Sequence, residues 1–465
     1  MLSAESFQAT SLRLAREGES ITRILAASIR AVEPGAAVER FVRRSGDFLT
    51  VAGREYHLAD YRSVRLLGIG KASIAMSTRL AGILGVRLEA GLVITKHVSA
   101  VPQFPFTILA GGHPVPDAYS LEAGRKTMEF VSTLGPNDLL FCLVSGGGSS
   151  LVTAPLEGIS LEDVQALTTT LLACGARIDE INSLRRRLDW IKGGGLVRLS
   201  NGAGIVSLIL SDVVGSPLEA IASGPTAPDP TRRADVLALV KKYGLRGKIP
   251  GSILATLEQV PETPKPDDPL FEKVQNVIVG NSLLAAQAAL TQAGMEGFHP
   301  YLLRIDMQGE ARQVAFELAT FLRQAKRTGD PVPRPACIMV GGETTVTLRQ
   351  VSPVPATLAQ AGQAPREKGK GGRNTELALA AVTELADFPG VMLVTLATDG
   401  EDGPTDAAGA VVTGETFRRA AGLAMHPDDY LYRNDSYSFF AALDDLLKPG
   451  PTGTNVNDLA FLFVL

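Results

Sequence analysis

Short apolar runs alternate with amphipathic stretches along most of the chain, often with a Gly-rich turn between them. The runs are VRLLGI (64–69), GLVITK (91–96), DLLFCLVS (138–145) and GIVSLILS (204–211), then NVIVG (276–280), ACIMVGG (336–342) and VMLVTLATDG (391–400). Continuous apolar runs are what strands buried on both faces require; a half-exposed strand would alternate. Helical spacing marks 120–134, 161–173, 282–293, 311–325 and 374–385. Strands that alternate with helices form parallel sheets covered on both faces. The pattern therefore predicts an α/β protein of two α/β domains, each a mostly parallel sheet flanked by helices.

One segment breaks the rhythm. Residues 259–269 (QVPETPKPDDP) hold four prolines and no apolar periodicity, and read as a surface linker. This places an N-terminal domain at 1–250, a linker at 251–274 and a C-terminal domain at 275–465. A second Gly/Pro/Gln-rich stretch, 353–372, reads as an exposed loop.

Composition narrows the function. Net charge is −4 over 465 residues, which argues against a basic nucleic-acid surface or a membrane-binding face. No apolar run approaches the ~20 residues needed to span a bilayer. The N-terminus is polar and lacks the apolar core of a signal peptide. Cys142, Cys174 and Cys337 form no C-x-x-C pair, so a reducing, cytoplasmic setting is expected. His57, His97, His113, His299 and His426 lack metal-ligand spacing, and no G-x-S-x-G elbow is present.

The candidate chemistry lies where strands end. Gly68-Ile69-Gly70-Lys71-Ala72-Ser73 is neither a P-loop nor a dinucleotide fingerprint, yet it sets Lys71 at a helix start, where backbone N–H groups favour an anion. Ser145-Gly146-Gly147-Gly148-Ser149 lets the backbone fold into a phosphate-binding nest. Asp212 ends an apolar run and reads either as a Mg²⁺ ligand or general base, or as a helix cap. Arg185, Arg186, Arg187 and Lys192 read as a solvated face or as a frame for an anionic cleft. Later in the chain, Arg373 follows a basic Gly-rich loop (368–372), and Asp399, Glu401 and Asp402 crowd four positions. Asn281, Gly342, Glu343 and Gly372 join Ser145–Ser149, Asp399 and Asp402 as nucleotide-binding candidates. Asp212 and Asp399 are the metal candidates. His113, in GGHPVPD, reads as a turn residue, with lining of the cleft as a second reading.

These motifs, with LSDVVGSPLEAIASGPT, GKGGRNTELAL, LATDGEDGPTDAAGA, NDSYSFF and TGTNVNDL, resemble the glycerate 2-kinase family, whose C-terminal domain is the module called MOFRL. The resemblance implies an active site in a cleft between the domains. It also implies ATP and Mg²⁺, D-glycerate as acceptor and 2-phosphoglycerate as product. Lys71 and Arg373 match the family's basic active-site positions, and Asp212 completes the expected catalytic set. Arg185-Arg186-Arg187 stands where the family pattern has Arg-Lys-His, and Asn434-Asp435-Ser436 where it has Asn-Asn-Ser. Three other readings stay open: a hydroxypyruvate reductase using NAD(P)H, a name some family members carry; a glycerate 3-kinase; and a non-catalytic sugar-acid or nucleotide sensor. Glycerate and ATP are the expected partners, with no nucleic acid or membrane, and the chain as a monomer or homodimer.

Overall fold

The computed structural model of the chain describes residues 3–96, 106–348 and 369–465. Of the motifs above, His97, Lys368 and the 353–368 part of the expected loop lie outside the described residues. The chain forms two compact units. One is residues 34–280; the other joins residues 1–33 to 281–465.

The 34–280 unit opens with a small antiparallel meander of β1 (Val42–Ser45), β2 (Phe48–Val51) and β3 (Arg54–His57). Six parallel strands follow: β4 (Ser63–Ile69), β5 (Ala90–Thr95), β6 (Phe106–Ala110), β7 (Asp138–Val144), β8 (Gly204–Leu210) and β9 (Val274–Gly280). Their order is β6-β5-β4-β7-β8-β9. β7 is buried along its whole length, as its unbroken apolar run requires. Each of its large apolar side chains contributes about 1.5–3 kcal/mol by leaving water. Helices begin where the sequence caps them. Asp117 accepts from Ser120 N–H ahead of helix Ala118–Ser132, and Ser160 accepts from Asp163 N–H ahead of helix Leu161–Ala173. The strand order reverses between β4 and β7. Ligands of open α/β sheets bind at such a switch point, beyond the carboxyl ends of the strands.

The other unit contains β10 (His299–Glu310), β11 (Ala336–Thr345), β12 (Val391–Ala397), β13 (Gly409–Thr413), β14 (Leu446–Leu447) and β15 (Asp458–Val464), ordered β10-β11-β15-β12-β13-β14. The α/β class is as expected, but this sheet is not mostly parallel. Only β10 and β11 pair in parallel; β15 runs antiparallel between β11 and β12, and β13 and β14 continue antiparallel. The run DLAFLFV is apolar on both faces because it is central and fully buried, and such a run carries no mark of strand direction.

The units also divide the chain elsewhere than the sequence led one to expect. NVIVG is β9, the edge strand of the first sheet. The Pro-rich stretch belongs to the 34–280 unit. There Pro264 O accepts from Asp229 N–H at 2.9 Å, Thr263 Oγ1 donates to Asp229 Oδ2 at 2.8 Å, and Glu262 meets Arg187 at 2.5 Å. Polar contacts rather than a packed face hold it, hence its lack of periodicity. Residues 1–33 pack with the later part of the chain. Arg23 pairs with Glu296 at 2.7 Å, Ser11 N–H donates to Asp445 Oδ1 at 2.7 Å, and Thr454 Oγ1 donates to Val32 O at 2.6 Å. Among the described residues no helix is long and apolar enough to cross a membrane.

Candidate active site

The turns after β4 and β7 meet at the switch point. Lys71 N–H donates to Gly146 O at 3.0 Å, and Ala72 N–H to Ser145 Oγ at 3.0 Å. Ser73 Oγ donates to Gly70 O and Ile94 O at 2.7 and 2.9 Å, fixing the turn from below. Lys71 is left exposed at the top. Three side chains crowd the bare backbone of Gly146 and Gly147. A Cβ added at Gly146 would lie 2.1 Å from Asp212 Oδ2. One added at Gly147, whose φ is +82°, would lie 2.8 Å from His113 Cδ2 and 3.3 Å from Lys71 Cε. Among the described residues, the N–H groups of Gly146, Gly147 and Gly148 donate to no other backbone group. A Gly-rich turn at the end of a buried strand, with an ammonium beside it, suits an anion.

The structure gives Asp212 no helix to cap: a bend and turns follow it, and its carboxylate lies at the glycine turn instead. His113 stands against the same glycine turn. Its loop is pinned by Gly112 N–H donating to Ser120 Oγ at 2.9 Å and by the Asp117 cap. Burial, then Lys71 and Lys96, push its imidazole down to about 4, so it is neutral at physiological pH. Ser149 Oγ lies 2.9 Å from Ser223 Oγ, which donates to Asn182 Oδ1 at 3.2 Å. Ala222 and Ser223 hold φ of +49° and +60°. Non-glycine residues held there cluster at ligand-facing turns. A two-rung ladder braces them: Gly193 N–H to Ser223 O at 2.9 Å and Gly194 N–H to Gly224 O at 2.8 Å.

The cationic cluster does not join this group. Arg185 donates to Thr168 Oγ1 at 3.2 Å, and Arg186 pairs with Asp229 at 2.9 Å. Lys192 pairs with Asp189 at 2.5 Å with both side chains buried. Arg186 and Lys192 thus sit in local ion pairs and Arg185 on a hydroxyl, rather than on a solvated face.

A second group gathers beyond one end of the inner strands β11 and β15, at the start of helix Arg373–Glu384. Arg373 Nε donates to Asp458 Oδ2 and Nη1 to Glu343 Oε1, both at 2.5 Å; Nη2 reaches Asp458 Oδ1 at 3.2 Å. Burial works to lower Arg373, but Asp458, Glu343 and Asp402 outweigh it and raise it, so the guanidinium is permanently charged. Burial pushes Asp458 up, to about 7, against the pull of Arg373. The carboxyl of Asp399 is pushed up by burial and accepts from Glu401 N–H at 3.2 Å. Asp458 lay within a recognised motif, but nothing in the sequence tied it to Arg373, 85 positions away.

Four expected nucleotide contacts have structural work here. Asp402 is 1% exposed, and its carboxylate accepts from Asn374 N–H (2.9 Å), Asn374 Nδ2 (3.3 Å), Thr375 N–H (2.7 Å) and Thr375 Oγ1 (2.7 Å). It caps the helix that carries Arg373 and has no face left for a ligand. Gly342 is bare because a Cβ there would lie 2.2 Å from Met307 O on β10, and Gly372 because one there would strike Asp402 at 2.5 Å. Asn281 caps helix Ser282–Met295 by accepting from Leu284 N–H at 2.9 Å. Asp402→Ala would strand four donors. It is expected to destabilise this unit by about 2–5 kcal/mol, read as a lower denaturation midpoint. An unchanged midpoint would show that water replaces the cap.

Comparison with known proteins agrees with this geometry. Residues 20–258 match the domain of unknown function DUF4147, and residues 336–458 match the MOFRL family. The chain is 35% identical over 447 residues to the glycerate 2-kinase of Pyrococcus horikoshii, covering 95% of this chain and 96% of that protein. It is 39% identical over 399 residues to a protein of Agrobacterium vitis provisionally named hydroxypyruvate reductase, covering 86% of each. The crystal structure of the Thermotoga maritima glycerate kinase superposes with a TM-score of 0.82 at 36% identity, covering 95% of this chain and 98% of that one. The chain belongs to the MOFRL-containing glycerate 2-kinase family.

Proposed function

We propose that the chain transfers the γ-phosphoryl group of ATP to the 2-hydroxyl of D-glycerate, giving 2-phosphoglycerate and ADP. The observation that carries this reading is the glycine turn Gly146–Gly148 with Lys71 and Asp212 packed against its bare backbone. Phosphoryl transfer asks a protein for positioning and charge neutralisation more than for covalent chemistry. The turn and Lys71 hold phosphate oxygens. Asp212 faces the same backbone and either accepts the hydroxyl proton or holds a divalent cation. Arg373, oriented by two carboxylates, binds a carboxylate or phosphate through its remaining N–H groups.

The residues present fit Mg²⁺. That ion usually takes one or two carboxylates and completes its shell with waters and substrate phosphates. Asp212 is the side chain that would hold it, and Asp399 is the second candidate; when bound it would neutralise charge on the transferring group. Among the described residues no three His, Cys, Asp or Glu side chains assemble into an all-protein site. Titrating Mg²⁺ separates the roles of Asp212. If it is a ligand, Asp212→Asn raises the Mg²⁺ requirement. If it is the base, kcat falls with the metal dependence unchanged. Parent-like behaviour in both would leave Asp212 without a catalytic role.

The reductase name of one relative motivates a control with hydroxypyruvate and NADH or NADPH. The turn after β4 does not favour that reading, since Ser73 and its two hydrogen bonds occupy the position of the last fingerprint glycine. The decisive test couples the ATP and glycerate reaction to enolase with no mutase present. Enolase takes 2-phosphoglycerate but not 3-phosphoglycerate, so phosphoenolpyruvate should form at once. Formation only after mutase is added would make the enzyme a 3-kinase. Nicotinamide oxidation in the control, without ADP formation from glycerate, would replace the kinase reading altogether. A cytoplasmic setting suits three free cysteines, of which Cys142 and Cys337 are buried.

A further inference from the structure

The loop that carries His113 is built to hold one side chain in one place. It leaves β6 with Gly111 N–H donating to Thr95 O at 3.0 Å. Gly111 lies hard against the end of the short helix that the glycine turn opens, where a Cβ would sit 2.2 Å from Leu151 O. A Cβ at Gly112 would sit 2.6 Å from Asp117 Cγ. Gln165 Nε2 donates to Pro116 O at 2.7 Å. With the Ser120 bond and the Asp117 cap, these contacts fix the loop on both sides of the histidine.

The imidazole is half-buried, so part of it is open to a ligand. It stands over Gly147: its Nε2 would lie 3.2 Å from a Cβ there, and Lys71 Cε 3.3 Å from the same point. Among the described residues neither ring nitrogen is engaged by a side chain or a backbone group. A histidine that only braced its loop would give a ring nitrogen to a carbonyl or carboxylate of that loop. The charged groups around it come from the neighbouring strand ends. Lys71 follows β4, Lys96 follows β5 and Asp212 follows β8. The two ammoniums act on the ring and, with burial, keep it neutral. Asp117 is turned to the helix it caps, and Asp212 stands against Gly146.

A lysine can only donate, whereas a neutral imidazole also presents a lone pair. Ionised phosphate and carboxylate oxygens have no hydrogen to offer it. The hydroxyl of a phosphoryl acceptor does. We propose, resting on the kinase reading, that His113 is a further catalytic residue whose unprotonated ring nitrogen accepts the hydrogen bond of the acceptor hydroxyl and takes its proton. The acceptor oxygen bonds to the γ-phosphorus as the bond from that phosphorus to the β,γ-bridging oxygen breaks. ADP leaves with the electron pair, and the hydroxyl proton passes to the imidazole and then to solvent. A weak base is enough, since in protein kinases the residue that accepts this proton is a carboxylate.

The test compares the parent with His113→Ala and His113→Gln by ADP release from ATP, Mg²⁺ and glycerate. His113→Ala should lower kcat at least ~100-fold, the low end of what a positioned acid–base group contributes. KM for ATP should stay as in the parent, because the ring acts on the acceptor. Added imidazole should restore part of the lost kcat saturably, by filling the space the side chain left. His113→Gln keeps the polar bulk but takes no proton, and should lose at least about tenfold in kcat. It decides the matter if the alanine variant does not fold. The assignment falls if a folded variant turns over as the parent does, which leaves the proton to Asp212. It falls equally if KM for ATP rises with kcat unchanged, which puts His113 on a phosphate, or if imidazole restores nothing. A parent that releases no ADP with glycerate overturns the kinase reading and this role together; an active parent matched by its variants overturns the role alone.

Discussion

Replacing Lys71 by alanine is expected to lower kcat/KM for glycerate and ATP by at least ~100-fold, the ~2.7 kcal/mol scale of one lost transition-state contact. The fold should survive. Lys71 is exposed, and the contact that ties its residue to the Gly146 turn is made by its backbone N–H, which alanine keeps. The unfolding midpoint should therefore match the parent. A second readout comes from His113. Burial is the main cause of its lowered titration and Lys71 the next, so removing the ammonium should move the imidazole upward toward its ordinary range. That shift, seen by NMR, would confirm that the two side chains share one environment. Near-normal turnover in Lys71→Ala would remove this residue from the site.

Arg373→Ala should cost a similar ~100-fold in kcat/KM, but with a different signature. Its partner Asp458 is buried and already titrates at about 7 with the guanidinium beside it. Without Arg373 that carboxyl is raised further and stays protonated at neutral pH, so the variant folds. The sign of the pH dependence follows. A folded-state value above the unfolded one means that the folded form holds a proton which the unfolded form has released. Stability then falls as pH rises above ~4, the unfolded value, and goes on falling until the folded carboxyl ionises. Melting of Arg373→Ala should thus drop more steeply than that of the parent between about pH 6 and pH 8. Adding Asp458→Asn should flatten it. If the single variant shows no such slope, Asp458 is not held neutral by burial. If it retains parental activity, Arg373 does not contact a substrate.

The sequence told more about strands and turns than about partners. β4, β5, β7, β8, β11 and β12 were visible because each is a buried apolar run. β6 was missed because FTILA is short, and β10 because its exposed polar positions break any run. Lys71 and the Gly146 turn were legible because three glycines closing a buried strand have few structural reasons to exist. Asp402 misled: a carboxylate in an Asp/Gly turn looks the same in sequence whether it faces solvent or caps a helix 28 residues earlier in the chain. His113 and Asp458 owe their shifted titration to burial and to neighbours distant in sequence, and neither property leaves a local pattern.

One unit is built from both ends of the chain, and this sets a timetable for its synthesis. Residues 34–280 contain every strand of their own sheet, so that unit is complete once residue 280 has been made. The other cannot close so early. Helix Gly18–Arg30 precedes its helical neighbour Ser282–Met295 by roughly 250 residues. At ~5–20 residues per second that is a wait of about ten to fifty seconds. Throughout it Ile21, Ile24, Leu25 and Ile29, all fully buried in the finished protein, have no cover of their own. β15, the central strand of the sheet, comes later still. That apolar face therefore waits for its helical neighbour until the whole 34–280 unit has been made.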